Sequence, residues 1–229
     1  MGLGSLAWPE VADRARWSVV AVPLGSTEQH GPHLPLSTDT DIAVALCARL
    51  EAEVPEVLAA PPICYGSSGE HRGFAGTLSI GQHALEAMLV ELCRSADEFS
   101  GVMIVSTHGG NRETVERSVA LLRSERRKVA AWFPRGGDPC DSHAGRVETS
   151  VQLALRPERV RRDRLATGDT RPLPDLMPVL RQGGVLAVSA SGTLGDPVGS
   201  TSEIGQQMLQ RWTDDLVEAV RREWEPALR

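Results

Sequence analysis

A glutamate, two histidines and an aspartate lie in the stretch GSTEQHGPHLPLSTD (residues 25–39), among glycines and prolines and few apolar residues. Glu28 and His30 are two residues apart, so in extended backbone both side chains project to the same side and can converge on one ion. Asp39 follows nine residues after His30. Glycine, proline and serine are also typical of an ordinary surface loop. The ionisable groups suggest a second hypothesis, that this loop forms a metal or acid–base site.

Two further loops carry polar residues of the same kind, and each follows an apolar run. His108 and Asn111 lie in THGGN (107–111), and His143 and Glu148 lie in the segment that ends in HAGRVETS (143–150). A single loop histidine is more often a surface residue than a ligand. However, loops that follow parallel strands meet at one edge of a sheet, where ligands bind. The clustering of these groups therefore favours one shared site.

The residue types indicate which chemistry this site would perform. Carboxylates and imidazoles without cysteine form a mixed ligand set that suits Zn²⁺, Mn²⁺ or Fe²⁺. One central aspartate can bridge two ions about 3.5 to 4 Å apart, the spacing of two-metal hydrolases. The glycines of HGGN could cradle a phosphate, but no Lys or Ser/Thr follows at P-loop spacing. No G-x-S-x-G motif occurs, which argues against a serine hydrolase.

The elements that must position these loops alternate between strand and helix. Short apolar runs predict buried strands at 17–24, 101–106 and 128–133. Helical spacing follows each run, at 39–53, 112–125 and 146–155, with Asp39 or Thr40 as the N-cap of the first helix. Further helices are predicted at 82–99 and 203–224, and an irregular segment at 159–184. This alternation predicts an α/β fold with a parallel sheet and helices on both faces.

Composition limits the remaining options. The chain has 229 residues, of which 41% are apolar and 24% charged, which predicts one globular domain over 1–229. No run approaches the roughly 18 apolar residues of a membrane span. The net charge of -6 and the mixing of basic with acidic residues argue against nucleic-acid binding. Four dispersed cysteines and a start that is unlike a secretory signal lead us to expect a cytoplasmic protein.

Four motifs together resemble the creatininase family of amidohydrolases: PLGSTEQHGPHLPLSTDT, EHRGFAGTLSI, THGGN and HAGRVETS. They span residues 23–150, and the first is highly specific. The resemblance implies a single three-layer α/β/α sandwich, assembly into a homo-oligomer and two divalent ions per chain, Zn, Fe or Mn. The spacing and the ending GTLGDPVGS are most similar to family members that trim a modified precursor peptide.

The resemblance also implies a role for individual residues. Glu28 and His108 match ligands of one ion, His30 matches a ligand of the other, and Asp39 matches the carboxylate that bridges both. His143 matches a histidine that transfers protons. In creatininase the residue two positions after the ligand histidine is a glutamate, and here it is Gly110. Glu148 is the best replacement for this missing ligand, and Thr107 stands where glycine is more usual.

The remaining predictions concern the surroundings of the ions and the reaction. Gln29 and Asn111 are expected to orient the ligands, and the loop YGSSGEHRGFAGT (65–77) to form a substrate wall through Tyr65, His71 and Phe74, or else to be an ordinary loop. We expect a binuclear metal-dependent hydrolase that cleaves a modified precursor peptide near its C-terminus and releases a short fragment for the synthesis of a redox cofactor. The alternatives are a small-molecule cyclic amidase or deformylase, and a non-catalytic metal-binding subunit.

Overall fold

A four-stranded parallel sheet organises the molecule, and the computed structural model describes residues 2–224. Its strand order is β2-β1-β3-β4. The strands are β1 (Val19–Leu24), β2 (Val57–Ala59), β3 (Gly101–Ser106) and β4 (Val129–Trp132). The helices are α1 (Trp8–Ala12), α2 (Thr38–Glu53), α3 (Gly81–Arg94), α4 (Arg112–Ser124), α5 (Arg146–Leu155), α6 (Leu173–Gly183) and α7 (Ser202–Trp224).

Helices cover both faces of the sheet, because the strands are apolar on both sides. Every residue of β1 and β3 is buried. Side chains that alternate along a strand point to opposite faces. On one face, Val19 and Ala21 belong to a core shared with α2, α5 and α7. On the other, Val20 and Val22 pack with α3 and α4. The predicted three-layer α/β/α sandwich with a parallel sheet is confirmed.

The sheet brings the three polar loops to one edge. The strands run parallel, and β1 pairs with β3, which pairs with β4. The segments that leave the carboxyl ends of these three strands lead into α2, α4 and α5. They are therefore neighbours, as expected from the positions of Glu28, His108 and His143. Within the described residues, no helix is long and apolar enough to cross a membrane.

Helix α2 begins earlier than the sequence predicts. Its N-cap is Ser37, so Asp39 and Thr40 lie inside the first turn rather than at the cap. The main-chain N–H and the hydroxyl of Thr38 both donate to Pro35 O, at 3.2 and 2.7 Å, which starts the turn before Asp39. The carboxylate of Asp39 is consequently free to serve the centre, where it is almost completely buried.

Three elements have no counterpart in the sequence predictions: the short helix α1, strand β2 and helix α6. Strand β2 has only three residues, too few for a period to be recognised. Helix α6 lies in the segment that was predicted to be irregular, since its prolines suggested a break. Pro174 is tolerated because the first turn of a helix needs no N–H donor there. Leu176 anchors the helix by packing in a small core with Val185 and Leu194.

Candidate metal centre

Three buried side chains from two loops form the first group of ligand atoms. His108 Nδ1 lies 3.2 Å from Glu28 Oε1 and 3.5 Å from Asp39 Oδ2. Glu28 follows β1, Asp39 is in the first turn of α2, and His108 follows β3. Their ligand atoms lie within 4.8 Å of one another. This group consists of the three residues predicted for one ion.

A second group lies beside the first and contains His30, His143 and Glu148. His30 Nε2 is 4.0 Å from Glu148 Oε2. The ring centroids of His30 and His143 are 4.4 Å apart. His30 Nε2 also lies 3.3 Å from Asp39 Oδ1. The two oxygens of Asp39 therefore face different groups, which is the arrangement a bridging carboxylate requires.

His71 belongs to the centre itself. Its Nε2 lies 3.2 Å from Glu28 Oε1, and His143 Nδ1 lies 3.9 Å from the same oxygen. These three residues make a third, overlapping group of possible ligand atoms. His71 was expected to form part of a substrate wall. No spacing in the sequence indicated its closeness to Glu28, because the loop that carries it packs against the centre only through the tertiary fold.

The buried carboxylate of Glu28 tests whether the donor set suits a cation. Within the described residues, neither of its oxygens accepts a well-aligned hydrogen bond, although both are buried and His108 Nδ1 lies 3.2 Å from Oε1. A buried carboxylate is costly unless a positive charge compensates it. Imidazole nitrogens and carboxylate oxygens surround it, and these are ligands of Zn²⁺, Mn²⁺ and Fe²⁺. The residues present therefore fit divalent cations.

The pKa values show how the ion-free centre balances its charges. Burial opposes protonation of His30, but Asp39, Glu148 and Glu28 outweigh it and raise the pKa of His30 to about 10. Burial likewise opposes protonation of His108, and Glu28 and Asp39 raise its pKa to about 10. Burial, with repulsion from His108 and His30, lowers the pKa of His71 to about 3. Two imidazolium groups thus replace the charge that cations would supply.

The pKa values of the other groups also follow from burial and neighbouring charge. Burial raises the pKa of Glu148 to about 7, with a further contribution from Asp39, against the attraction of His30. Burial and the charge of His30 hold the pKa of His143 well below its usual value. His143 is therefore neutral and Glu148 is close to its titration point in the ion-free protein.

Hydrogen bonds between loops hold the ligands in place. Asn111 Nδ2 donates to Gly25 O at 3.0 Å, and its Oδ1 accepts from the N–H of Ser67 at 2.8 Å, which ties three loops together. The Thr107 hydroxyl donates to Asp39 O at 2.7 Å, and that of Ser26 to Asp39 Oδ2 at 2.5 Å. Asn111 thus acts on the loops, whereas Ser26 and Thr107 fix Asp39.

Glu70 occupies the space beside Gly110. A Cβ atom on Gly110 would overlap Glu70 Oε1 and lie 2.5 Å from His108 Nε2. Glu70 Oε1 itself is 3.4 Å from His108 Nε2. A side chain at position 110 is therefore excluded while Glu70 keeps this position. Glu70 was not predicted, and its place next to His71 in EHRGFAGT was the only signal in the sequence.

A cavity of about 200 Å³ opens beside the centre, and Asp39, His108, His143 and Glu148 form part of its lining. Its other walls include Phe133 and two arginines, Arg112 and Arg135. The Arg112 guanidinium lies over the Phe133 ring, 4.1 Å from its centroid.

Three other loop residues are not among those that line this cavity. Tyr65 is 48% exposed, and Phe74 packs against the small core of α6. His33, another histidine of the first loop, lies with its Nε2 2.9 Å from the Thr149 hydroxyl. None of the three belongs to the groups of ligand atoms.

A three-layer α/β/α fold with carboxylates and imidazoles gathered at the carboxyl edge of its sheet defines a class, the metal-dependent hydrolases. The family model for creatininase, described as creatinine amidohydrolase, matches residues 4–220. The mycofactocin precursor peptide peptidase of Mycolicibacterium smegmatis is 47% identical over 214 residues, 91% of this chain and 86% of that protein. The protein of the same name from Mycobacterium tuberculosis is 50% identical over 220 residues, with 90% and 86% covered.

Solved structures agree with this. The zinc–zinc form of a mutant creatininase has a TM-score of 0.83 and 26% identity, and the alignment covers 96% of this chain and 97% of the other. The chain belongs to the creatininase family of metal-dependent amidohydrolases.

Proposed function

We propose that this chain is a two-metal peptidase that cleaves a modified precursor peptide near its C-terminus, in the biosynthesis of mycofactocin. The observation that carries the proposal is the identity of 47% and 50% to proteins named mycofactocin precursor peptide peptidase, over about nine tenths of the chain. The centre supports it, because the predicted ligands Glu28, His30, Asp39, His108 and Glu148 converge at one edge of the sheet.

The ligands divide between two ions around Asp39. Glu28 and His108 would hold one ion together with Asp39 Oδ2, and His30 and Glu148 would hold the other together with Asp39 Oδ1. Divalent ions in these positions would polarise the scissile carbonyl and lower the pKa of a water molecule toward 7. Gln29 and Asn111 hold the residues around the ligands in place.

His143 supplies the proton transfer that amide cleavage requires. Its Nδ1 faces Glu28 Oε1 at 3.9 Å, while its Nε2 donates to Gln29 O at 2.9 Å. Because Nε2 holds the proton, Nδ1 can accept another from water and pass it to the leaving nitrogen, which departs as an amine. Burial and the charges of His30 and His71 keep this imidazole neutral, with its pKa well below the usual value, when no ions are bound.

The substrate enters through the cavity beside the centre. Phe133 offers an apolar wall, and Arg112 and Arg135 offer donors to main-chain carbonyl groups of a peptide. Creatinine is expected to be a poor substrate, because Gly110 replaces a glutamate of creatininase and Glu70 fills that space. The homo-oligomer, the cytoplasmic location and the single domain over 1–229 stay predictions.

Mass spectrometry of the modified precursor peptide, after incubation with the protein loaded with Zn, Fe or Mn, tests the proposal. We expect release of a short C-terminal fragment that disappears when the ions are removed. The His143→Ala variant should keep its ions while kcat falls by roughly 10² to 10⁴, the usual contribution of a positioned acid–base group.

Two results would contradict the peptidase. Fast ring opening of creatinine or another cyclic amide, or deformylation of a small molecule, without cleavage of the peptide would favour the small-molecule alternatives. Bound ions without turnover of any of these substrates would favour the non-catalytic subunit.

A further inference from the structure

The mechanism above leaves His71 without a task, although it is buried and its Nε2 faces the centre. Nε2 of His71, Nδ1 of His143 and an oxygen of Glu28 lie within 4.8 Å of one another. Such a group could be read as a third ion site. The hydrogen bonds of Gln29 decide whether His71 Nε2 has the lone pair that a ligand needs.

The side-chain amide of Gln29 can satisfy its neighbours in only one orientation. Its Oε1 accepts from the N–H of Gly31 at 2.8 Å, and its Nε2 donates to Gly192 O at 3.1 Å. If the amide were rotated by 180°, its nitrogen would face the N–H of Gly31 and its oxygen would face the oxygen of Gly192. Both hydrogen bonds would then be lost. Gly192 has φ +83, and a Cβ there would overlap Gln29 Oε1, so only glycine allows this close approach.

The second hydrogen of Gln29 Nε2 is then directed to His71 Nδ1, at 2.8 Å. Nδ1 accepts this hydrogen bond, so it carries a lone pair and the single proton of the neutral ring is on Nε2. Gln29 Nε2 also lies 3.1 Å from His143 Nε2, but this contact is not a hydrogen bond, because His143 Nε2 carries a proton that it donates to Gln29 O. A protonated Nε2 cannot ligate an ion, which removes the third group of ligand atoms as a site.

Gln29 also fixes the tautomer of His143, but in that ring the nitrogen that faces the centre is the unprotonated one. The main-chain carbonyl of Gln29 accepts from His143 Nε2 at 2.9 Å, so the Nδ1 that faces the centre is the unprotonated nitrogen. Gln29 therefore orients both rings, so that His71 presents an N–H and His143 presents a lone pair to the same space. His71 Nε2 lies 3.2 Å from Glu28 Oε1, but its N–H is not aligned with that oxygen for a hydrogen bond. The N–H is therefore available to another acceptor.

We propose that His71 is a hydrogen-bond donor for the reaction: its Nε2–H binds the carbonyl oxygen of the scissile amide, where negative charge develops. The inference rests on the proposed function and adds a residue to it. His71 transfers no proton, whereas His143 accepts one from water and gives it to the leaving nitrogen. A donor that is already oriented is effective in this role because it need not reorganise during the reaction.

Nuclear magnetic resonance of the zinc-loaded protein tests the proton position without any substrate. Long-range nitrogen–proton correlations of the histidine rings should show His71 protonated on Nε2 and unprotonated on Nδ1. In Gln29→Glu, a carboxylate can no longer donate to Nδ1, so the proton of His71 should move to Nδ1 or the ring should gain a second proton. Zinc coordination by His71 Nε2 in the unchanged protein would overturn the proposal.

Kinetics of matched variants test the catalytic part. We expect His71→Leu and Gln29→Glu to keep the ion content of the unchanged protein while kcat for the precursor peptide falls by roughly 10² to 10³, as for the loss of one oriented donor. His71→Gln, which offers an amide N–H, should recover part of this loss. The double variant should be no slower than His71→Leu, because both changes remove the same donor.

The exposed His83 of α3 provides a control, and His83→Leu should leave turnover unchanged. Loss of an ion in His71→Leu, or full turnover in Gln29→Glu, would overturn the role of His71. If the unchanged protein cleaves no peptide, the proposed function fails, and the ring spectra still decide whether His71 is a donor or a ligand.

Discussion

The two groups of ligand atoms around Asp39 differ in how firmly the fold holds them. In the first, His108 Nδ1 lies 3.2 Å from Glu28 and 3.5 Å from Asp39, and all three side chains are almost fully buried. In the second, His30 Nε2 and Glu148 Oε2 are 4.0 Å apart and the Glu148 side chain is 22% exposed. The closer and more deeply buried group should bind its ion more tightly, since fewer atoms must move to complete it.

The difference comes from the elements that carry each group. Glu28 and His108 follow the central strands β1 and β3, whose six-residue pairing fixes their relative position. Glu148 instead lies in the first turn of α5, where its carboxylate is held by the turn that precedes the helix. Its Oε2 accepts from the N–H of Ala144 at 2.6 Å, and Ala144 has φ +52, a strained conformation for a residue other than glycine. A carboxylate held by a turn is easier to displace than one held by a sheet.

The largest effect should come from Asp39→Ala, which removes the carboxylate common to both groups. Because Oδ1 and Oδ2 face different groups, both ions should be lost, together with all measurable turnover. Elemental analysis after gel filtration measures this. Asp41→Ala is the matched control: Asp41 lies on the same helix but faces Arg156 and Arg159, so this variant should keep both ions. Full ion content in Asp39→Ala would refute the bridge.

A smaller effect, on one group alone, is expected from Glu148→Gln. The amide keeps the size of the side chain but is a poorer ligand, so we expect the more weakly held ion to be lost and the other to remain. Titration with a chelator should show two steps for the unchanged protein and only the tighter step for this variant. If His108→Gln lost only the weaker ion while Glu148→Gln lost the tighter one, the proposed order of the two groups would be reversed.

The smallest effect concerns pH and the ion-free protein. The folded-state pKa of about 10 for His30 and His108 exceeds the ordinary value of 6.5, so their stabilisation is complete below pH 6.5 and is lost as pH rises through 10. We expect the melting temperature to fall over this range, by about 2–4 °C for each 1 kcal/mol of unfolding free energy that is lost in a domain of this size. Calorimetry of the ion-free protein measures it.

Ion binding provides the complementary measurement. Because His30 and His108 must lose their protons to act as ligands, loading should release protons between pH 6.5 and 10, which titration calorimetry in two buffers detects. A melting temperature that does not change with pH in the ion-free protein, and loading without proton release, would show that these histidines are already neutral.

The sequence was most informative where one physical rule acted alone. Buried parallel strands need continuous apolar runs, so β1 and β3 were predicted nearly to the residue. Loops that leave such strands must meet, and this rule alone predicts that Glu28, His108 and His143 lie together. Helix α6 was missed because its stability comes from the burial of Leu176 in the tertiary core, which no local pattern of prolines and charges reveals.

The surroundings of the centre were harder to predict. His71 and Glu70 reach it through a glycine-rich loop without periodicity, and their partners Gln29 and Gly110 are about 40 residues away in the chain. The roles of Gln29 and Gly192 depend on amide orientation and on a backbone angle, which residue types alone do not encode. The order of strands and loops therefore predicts which polar residues gather at the centre, and only the folded structure supplies the contacts that orient them.

The overlap between Glu70 and any side chain at position 110 also constrains how such a centre can change during evolution. A glutamate at 110 would require the end of the Glu70 side chain to move aside, and the main-chain oxygen of Ser67, 2.6 Å from the added Cβ atom, to shift as well. The opposite order, in which Glu70 is lost first, removes the carboxylate that lies 3.4 Å from His108 Nε2, while Glu28 and Asp39 stay beside Nδ1. Positions 70 and 110 are thus coupled, and we expect an exchange between the two arrangements to need changes at both positions.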